Sequence, residues 1–345
     1  MARFSAYEKQ IIAQFQDNFI RDAYDMYGGG KVPNSENTRQ LDFIDWFGAT
    51  PTVVAQVWYL IQDGYDDMPR SAMQERLLWG LYLNKNYVTS RGMARMVGVD
   101  KDTFRRWSWW MLNEVSFLEV HVVSKLMTVS FNFCLSHLYY YLQIQWEQRK
   151  RNLIGNDCIV YNDGVHCPYK TRYNHRGKPD TCFYSHKFKK SALWYEVAAS
   201  IRSDDIVWIS GPHLPGMKTD LMIFREGLMH MLDPGERVEA DAIYAAEAPQ
   251  FVKVRDHHVT AGLDEDRRKM RGRAARRHEN VNRRLKVFKS LEVVFRHSAE
   301  KHSMCFRTSA ILVQLSFENG DQALFDVCEY DDTLTDFQAE LIYEL

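Results

Sequence analysis

The hydrophobic period of this chain changes once, near residue 155, and that change limits the folds open to it. Upstream, apolar residues recur at three- and four-residue steps. They do so in Val53–Ile61 behind a Thr50-Pro51 start, at Leu77, Leu78 and Leu81, and along the proline-free stretch from Leu112 to Arg151. Downstream, Cys158–Tyr161, Tyr195–Ile201 and Ile206–Ser210 are short β-branched or aromatic runs. Gly211-Pro212 and Pro215-Gly216 punctuate a loop. Asp220–Leu228 returns to helical spacing, and Arg237–Asp241 reads as a short strand ending in an acid. A basic helix, a second helix through Ser309–Phe317 and a final strand at Ala323–Tyr330 complete the order. Strands that alternate with helices predict a mixed α/β sheet, here preceded by an all-α region.

Four segments follow from this reading. Residues 1–46 are a polar N-terminal segment broken by Gly28-Gly29-Gly30, and residues 47–152 are a helical domain. Residues 153–331 form the sheet domain, and residues 332–345 are an acidic C-terminal segment. Within the helical domain, residues 87–110 predict a helix-turn-helix. Thr89–Val97 is a short helix, Gly98-Val99 a tight turn, and Asp100 the cap of a second helix through Trp110. Ala94, Val99, Phe104 and Trp107 would then pack inward and leave Lys101, Arg105 and Arg106 exposed, as a helix entering a DNA groove requires. An ordinary helical hairpin with solvated charges has the same pattern.

Three acids fall where such a sheet can gather them. Asp163 goes with the first strand, Asp241 ends a later one, and Glu279 sits on the basic helix. From Arg267 to Lys289 there are eleven Lys or Arg and one acid, Glu279. Val281, Leu285 and Phe288 give this helix a narrow apolar seam, while Arg276, Arg283 and Lys286 share the face of Glu279. Taken alone, Glu279 is a salt-bridged surface acid, Asp163 a turn residue and Asp241 a strand-end cap. Taken together, three converging carboxylates repel one another unless a multivalent cation is bound. Oxygen ligands without His or Cys suit two ions of Mg2+ or Mn2+, which activate a water or a 3′-hydroxyl toward a phosphodiester. The surrounding cations would then hold a nucleic-acid backbone.

The charge balance agrees with a localised anionic partner. The 345 residues carry a net charge of −1, yet Lys170–Lys190 and Arg267–Lys289 are basic while the chain from Asp331 onward is acidic. The N-terminus has no signal-peptide core, and no apolar run reaches membrane-spanning length. Six cysteines without a CxxC pair point to a soluble intracellular protein with reduced thiols, nuclear or cytoplasmic, with the nucleus favoured in a eukaryote. His166, Cys167, Cys182 and His186 can be drawn as a zinc site, but their spacing fits no common finger.

From about Phe47 to Tyr330 the sequence resembles the DDE transposases of the PIF/Harbinger and related DDE-superfamily endonuclease group. Asn162-Asp163-Gly164 resembles the segment of the first catalytic aspartate. Trp208 through Gly211-Pro212 to Asp220–Phe224 is similar to the following loop and helix, in which Asp220 reads as a cap or a supporting residue. Glu239–Tyr244 resembles the second-aspartate segment, with Ala242 where Ser, Lys or Asp before Gly is usual. Arg277–Lys286 resembles the helix of the third acid. Of the related signature Tyr-x2-Arg-x3-Glu-x6-Lys, Glu279 and Lys286 fit the second half, but Gly272 and Ala275 occupy the Tyr and Arg positions. The resemblance implies a ribonuclease H-like mixed sheet flanked by helices, with Asp163, Asp241 and Glu279 as catalytic and metal-binding residues. It implies a transposon-derived, metal-dependent DNA endonuclease that cuts and transfers strands at element ends. Its partners would be double-stranded DNA and either a second copy of the chain or a separate DNA-binding protein. The alternative is a domesticated DNA-binding or adaptor protein that no longer cleaves. A ribonuclease H-like nuclease of RNA is a weaker rival, because a helix-turn-helix suits duplex DNA.

Overall fold

The computed structural model of the chain describes residues 4–28, 30–64, 68–122, 158–200, 205–232, 234–248, 250–254 and 278–320. Helices come first. The stretch read as a polar N-terminal segment forms two of them, α1 (Ala6–Met26) and α2 (Glu36–Phe47). Polar composition hides a spaced apolar face, on which Ile12, Phe19, Ile20, Ala23, Tyr24, Phe43 and Phe47 are buried. Ser5 and Glu8 form a reciprocal capping box at the start of α1. In α3 (Pro51–Asp63) the Thr50 hydroxyl caps Val53 and Pro51 takes the first turn, as the sequence predicts. Then come α4 (Gln74–Asn86), α5 (Ser90–Met96), α6 (Lys101–Phe117) and α7 (Glu119–Val122).

The sheet follows. Its strands are β1 (Cys158–Pro168), β2 (Tyr184–Ser185), β3 (Lys190–Ser200), β4 (Ile206–His213), β5 (Arg237–Ala240) and β6 (Val252–Val254), with α8 (Asp220–Glu226) between β4 and β5. β3 is antiparallel to β1 and β4, whereas β1, β5 and β6 run parallel, and β2 pairs only the start of β3. The result is a mixed α/β sheet in the order β4-β3-β1-β5-β6. Strand β1 runs well beyond Tyr161, because Asn162, Asp163 and Gly164 pair with Ala198, Val197 and Glu196 of β3. Asp163 therefore sits inside the strand and is not the turn residue of the alternative reading. On one face, Val160, Ala198, Val238, Ala240 and Val252 pack with Phe224, Leu228 and Tyr244 into a core.

After the sheet come α9 (residues 278–285), the short α10 (Lys289–Glu292) and α11 (Ala299–Glu318). Val281, Leu285 and Phe288, the expected apolar seam, are all buried. The described residues fall into two compact units, one of residues 4–122 with 284–320, the other of residues 158–254 with 278–283. Residues 284–320, read from sequence as part of the 153–331 domain, thus belong with the helices. Helix α11 is buried nearly all round, so it needs neighbours on every side. It finds them with polar precision: the Asn84 amide donates to Ser309 Oγ at 2.9 Å, and Gln56 and Asn319 exchange amide hydrogen bonds of 3.0 and 2.8 Å. The 152/153 boundary, the helix beyond Val122, the first part of the basic helix with Arg276, the strand at 323–330 and the acidic tail lie outside the described residues.

Candidate active site

The strand period places the first acids. In β1, Tyr161 and Asp163 point to the sheet face opposite the Phe224–Tyr244 core. Asp241 directly follows β5, the parallel neighbour of β1, and its Oδ1 accepts from the Tyr161 hydroxyl at 3.3 Å. Tyr161 feels both carboxylates: burial first, then the charges of Asp241 and Asp163, hold its hydroxyl protonated well above the usual tyrosine range.

The first turn of α9 lies on that same face. His278 is buried and its Nε2 donates to the carbonyl of Val197 in β3 at 2.7 Å. That bond leaves Nδ1 to accept from the Asn282 amide, 3.2 Å away. The same amide donates to Asp163 Oδ2 at 3.3 Å, so one side chain fixes both the histidine and the aspartate. Asp163 Oδ1 accepts from the Gly164 N–H at 2.7 Å. Burial lowers the pKa of His278, against the pull of Asp163 3.8 Å away, and keeps the ring neutral. Glu279, one residue on, is turned about 100° around the helix and is exposed.

Beneath Asp163, on the core side of the sheet, lies a second polar group. Glu196 of β3 is fully buried; its Oε2 accepts from the Asn162 amide at 2.9 Å and its Oε1 from the Tyr244 hydroxyl at 3.1 Å. Burial pushes its carboxyl up to about 8, more than those two hydrogen bonds pull it down, and the charges of Asp220 and Asp163 push the same way. Asp220, at the start of α8, is also raised, by burial first and then by Asp163. A Cβ on Gly164 would stand 2.6 Å from the Trp194 indole nitrogen and 3.2 Å from Asp220 Oδ1, so only glycine fits between them. Asp220, expected as a cap or supporting residue, does lie against the Asp163-Gly164 step, although Thr219 is the residue that caps α8.

The fold thus gathers Asp163 and Asp241 on one face, with Glu196 and Asp220 close behind. It does not bring Glu279 into a cluster with them. Among the described residues no three His, Cys, Asp or Glu side chains lie close enough to hold a metal ion. The donor chemistry still fits Mg2+, which keeps several waters and is commonly held by one or two carboxylates plus substrate phosphates. The His166 and Cys182 zinc alternative finds no such grouping: His166 stacks on Trp194 and bonds Ser185, and the Cys182 thiol bonds Asp180. Of the expected DNA-contacting residues, Lys101, Arg105, Arg106 and Arg283 are exposed and Lys286 is half-buried. Arg105 pairs with Asp102 at 3.0 Å and Arg283 donates to Asn280 at 3.2 Å. Sequence reading missed Glu196, which hides in an apolar run, and missed His278 and Asn282, although their spacing of four is the signal of a shared helix face.

No family model, curated protein or solved structure matches the chain.

Proposed function

We propose that this chain is a transposon-derived DNA endonuclease with a ribonuclease H-like catalytic domain, acting in a metal-dependent way on phosphodiesters at the ends of a duplex element. The observation that carries this reading is the meeting of Asp163 and Asp241 on one sheet face with the first turn of the helix that bears Glu279. The mixed sheet, with acids on two adjacent parallel strands and helices on both faces, supports it. A Mg2+ or Mn2+ ion bound by Asp163 and Asp241 would polarise a phosphate oxygen and favour deprotonation of water. This chain's own residues prepare that place. Asn282 holds the Asp163 carboxylate in one orientation, Tyr161 does so for Asp241, and neutral His278 adds no competing cation. Glu279 is the proposed third acid, and Arg276, Arg283 and Lys286 are the proposed holders of flanking phosphates.

Lys101, Arg105 and Arg106 on α6 would meet the duplex itself. The partners proposed are the element ends and target DNA, with a second copy of the chain or a DNA-binding protein completing the assembly, in the nucleus if the source is eukaryotic. A second reading, a DNA-binding protein that no longer cleaves, is favoured by the separation of Glu279 from the two aspartates. End-labelled duplex incubated with Mg2+ or Mn2+ separates the two. Under the first reading the chain cuts, and Asp163→Asn cuts at less than about a hundredth of that rate while still binding. Binding without metal-dependent cutting favours the second.

A further inference from the structure

The link between β1 and β3 supplies none of the carboxylates of the site just described, yet it is strongly basic. Residues 170–190 hold seven Lys or Arg and one acid, Asp180. That acid caps a 3-10 turn, its Oδ1 accepting from the Cys182 N–H at 3.0 Å, and its single charge leaves the segment strongly basic. Arg172, Arg176, Lys178, Lys187, Lys189 and Lys190 are exposed, and none of them forms an ion pair with a described residue.

The link is also firmly built. At its tip, Asn174 Oδ1 accepts from the N–H groups of Arg176 and Lys178 at 2.9 and 3.1 Å, and Gly177 takes a left-handed φ of 69°. The Asp180 N–H donates to the Arg172 carbonyl at 2.8 Å and closes the tip. At its root, Tyr169 stacks on Phe183 with centroids 5.5 Å apart. The Cys182 carbonyl accepts from the Gly216 N–H at 2.9 Å, where a Cβ would strike the Thr181 carbonyl. Tyr173, 66% exposed, stands among the tip cations. Lys187 acts electrostatically on Asp220, which itself lies against the Asp163-Gly164 step, so the basic surface extends to the edge of the carboxylate site.

A preformed loop loses little backbone entropy when its exposed cations meet a regularly spaced polyanion. We propose that this link is a clamp for the sugar-phosphate backbone of duplex DNA, independent of base sequence and separate from the α5–α6 pair. The proposal rests on the DNA reading above. Duplex DNA is favoured over a smaller anion because the cations are spread along both arms of the loop rather than gathered in a pocket.

The test is the salt dependence of binding to a fluorescent random-sequence duplex, without divalent metal. The full chain is compared with a triple variant, Arg172→Ala, Arg176→Ala, Lys178→Ala. These exposed positions should leave the melting temperature unchanged, and a Lys187→Ala variant gives a second reading at the root. Expected is a log K against log [salt] slope smaller by about three for the triple variant and by about one for Lys187→Ala. Unchanged affinity and slope in both variants would overturn the clamp, as would loop-dependent binding to polyglutamate or single-stranded RNA with none to duplex. If the parent cuts DNA and the variants bind as it does, the clamp fails and the endonuclease reading stands. If the slope changes as expected but no metal supports cutting, the endonuclease reading fails and the clamp stands.

Discussion

At the residue scale, Glu196 shows what a polar group inside a sheet costs and what it can report. A carboxylate without exposure is unfavourable as a charge, so the folded chain keeps Glu196 protonated up to about pH 8, while the unfolded chain ionises it near 4.5. Its contribution to stability is therefore complete below 4.5 and is lost as pH rises through about 8. Glu196→Gln keeps the shape and an acceptor for Asn162 but has no proton to lose. Denaturant unfolding at a series of pH values should show a decline between these limits that is steeper for the parent than for the variant, in which Asp220 still titrates. An equal decline in both would mean that Glu196 does not carry the effect. Nothing in the sequence reveals this group, because Glu196 reads as one interruption in an apolar run and its partners Asn162 and Tyr244 are far away along the chain.

At the element scale, the α5–α6 pair was readable in advance because each signal has a local mechanism. Thr89 caps α5, Asp100 caps α6 by accepting from the N–H groups of Asp102 and Thr103, and Gly98 supplies the left-handed turn at φ 68°. Ala94 and Phe104 are buried with Trp79 and Met93, and Val99 and Trp107 pack against them, as the spacing predicts. The exposed charges contribute little to this packing; the Arg105–Asp102 pair is solvent-exposed and worth less than about 1 kcal/mol. Lys101→Ala, Arg105→Ala and Arg106→Ala should each change stability by less than about 0.5 kcal/mol. Each should weaken duplex binding, uniformly across sequences for a phosphate contact and at one base pair for a base contact. Titrations of the three variants on a panel of single-base substitutions make the comparison, and full retention of affinity in all three would make the pair a scaffold. The extent of β1 was less legible, because Asn162-Asp163-Gly164 has the composition of a turn and only pairing with β3 makes it strand.

At the scale of the whole molecule, local pattern identifies the elements, but assembly decides which belong together. Residues 284–320 follow the sheet in sequence yet pack with the helices, through contacts such as Asn84 to Ser309 that no local pattern announces. The meeting of Asp163 and Asp241 was legible from strand order, since parallel neighbours bring a mid-strand acid and a strand-end acid to one face. The place of Glu279 was not, because helical spacing fixes the residues that share its face and not the face that meets the sheet; His278 and Asn282 take that role. The proposed function requires that Asp163 and Asp241 hold one divalent ion between them. Calorimetric titration with Mn2+, alongside circular dichroism to confirm folding, tests it on the parent chain and on Asp163→Asn and Asp241→Asn. Expected is saturable binding by the parent and a loss of at least about tenfold in affinity for each folded variant. Equal Mn2+ binding by the parent and both variants would contradict it.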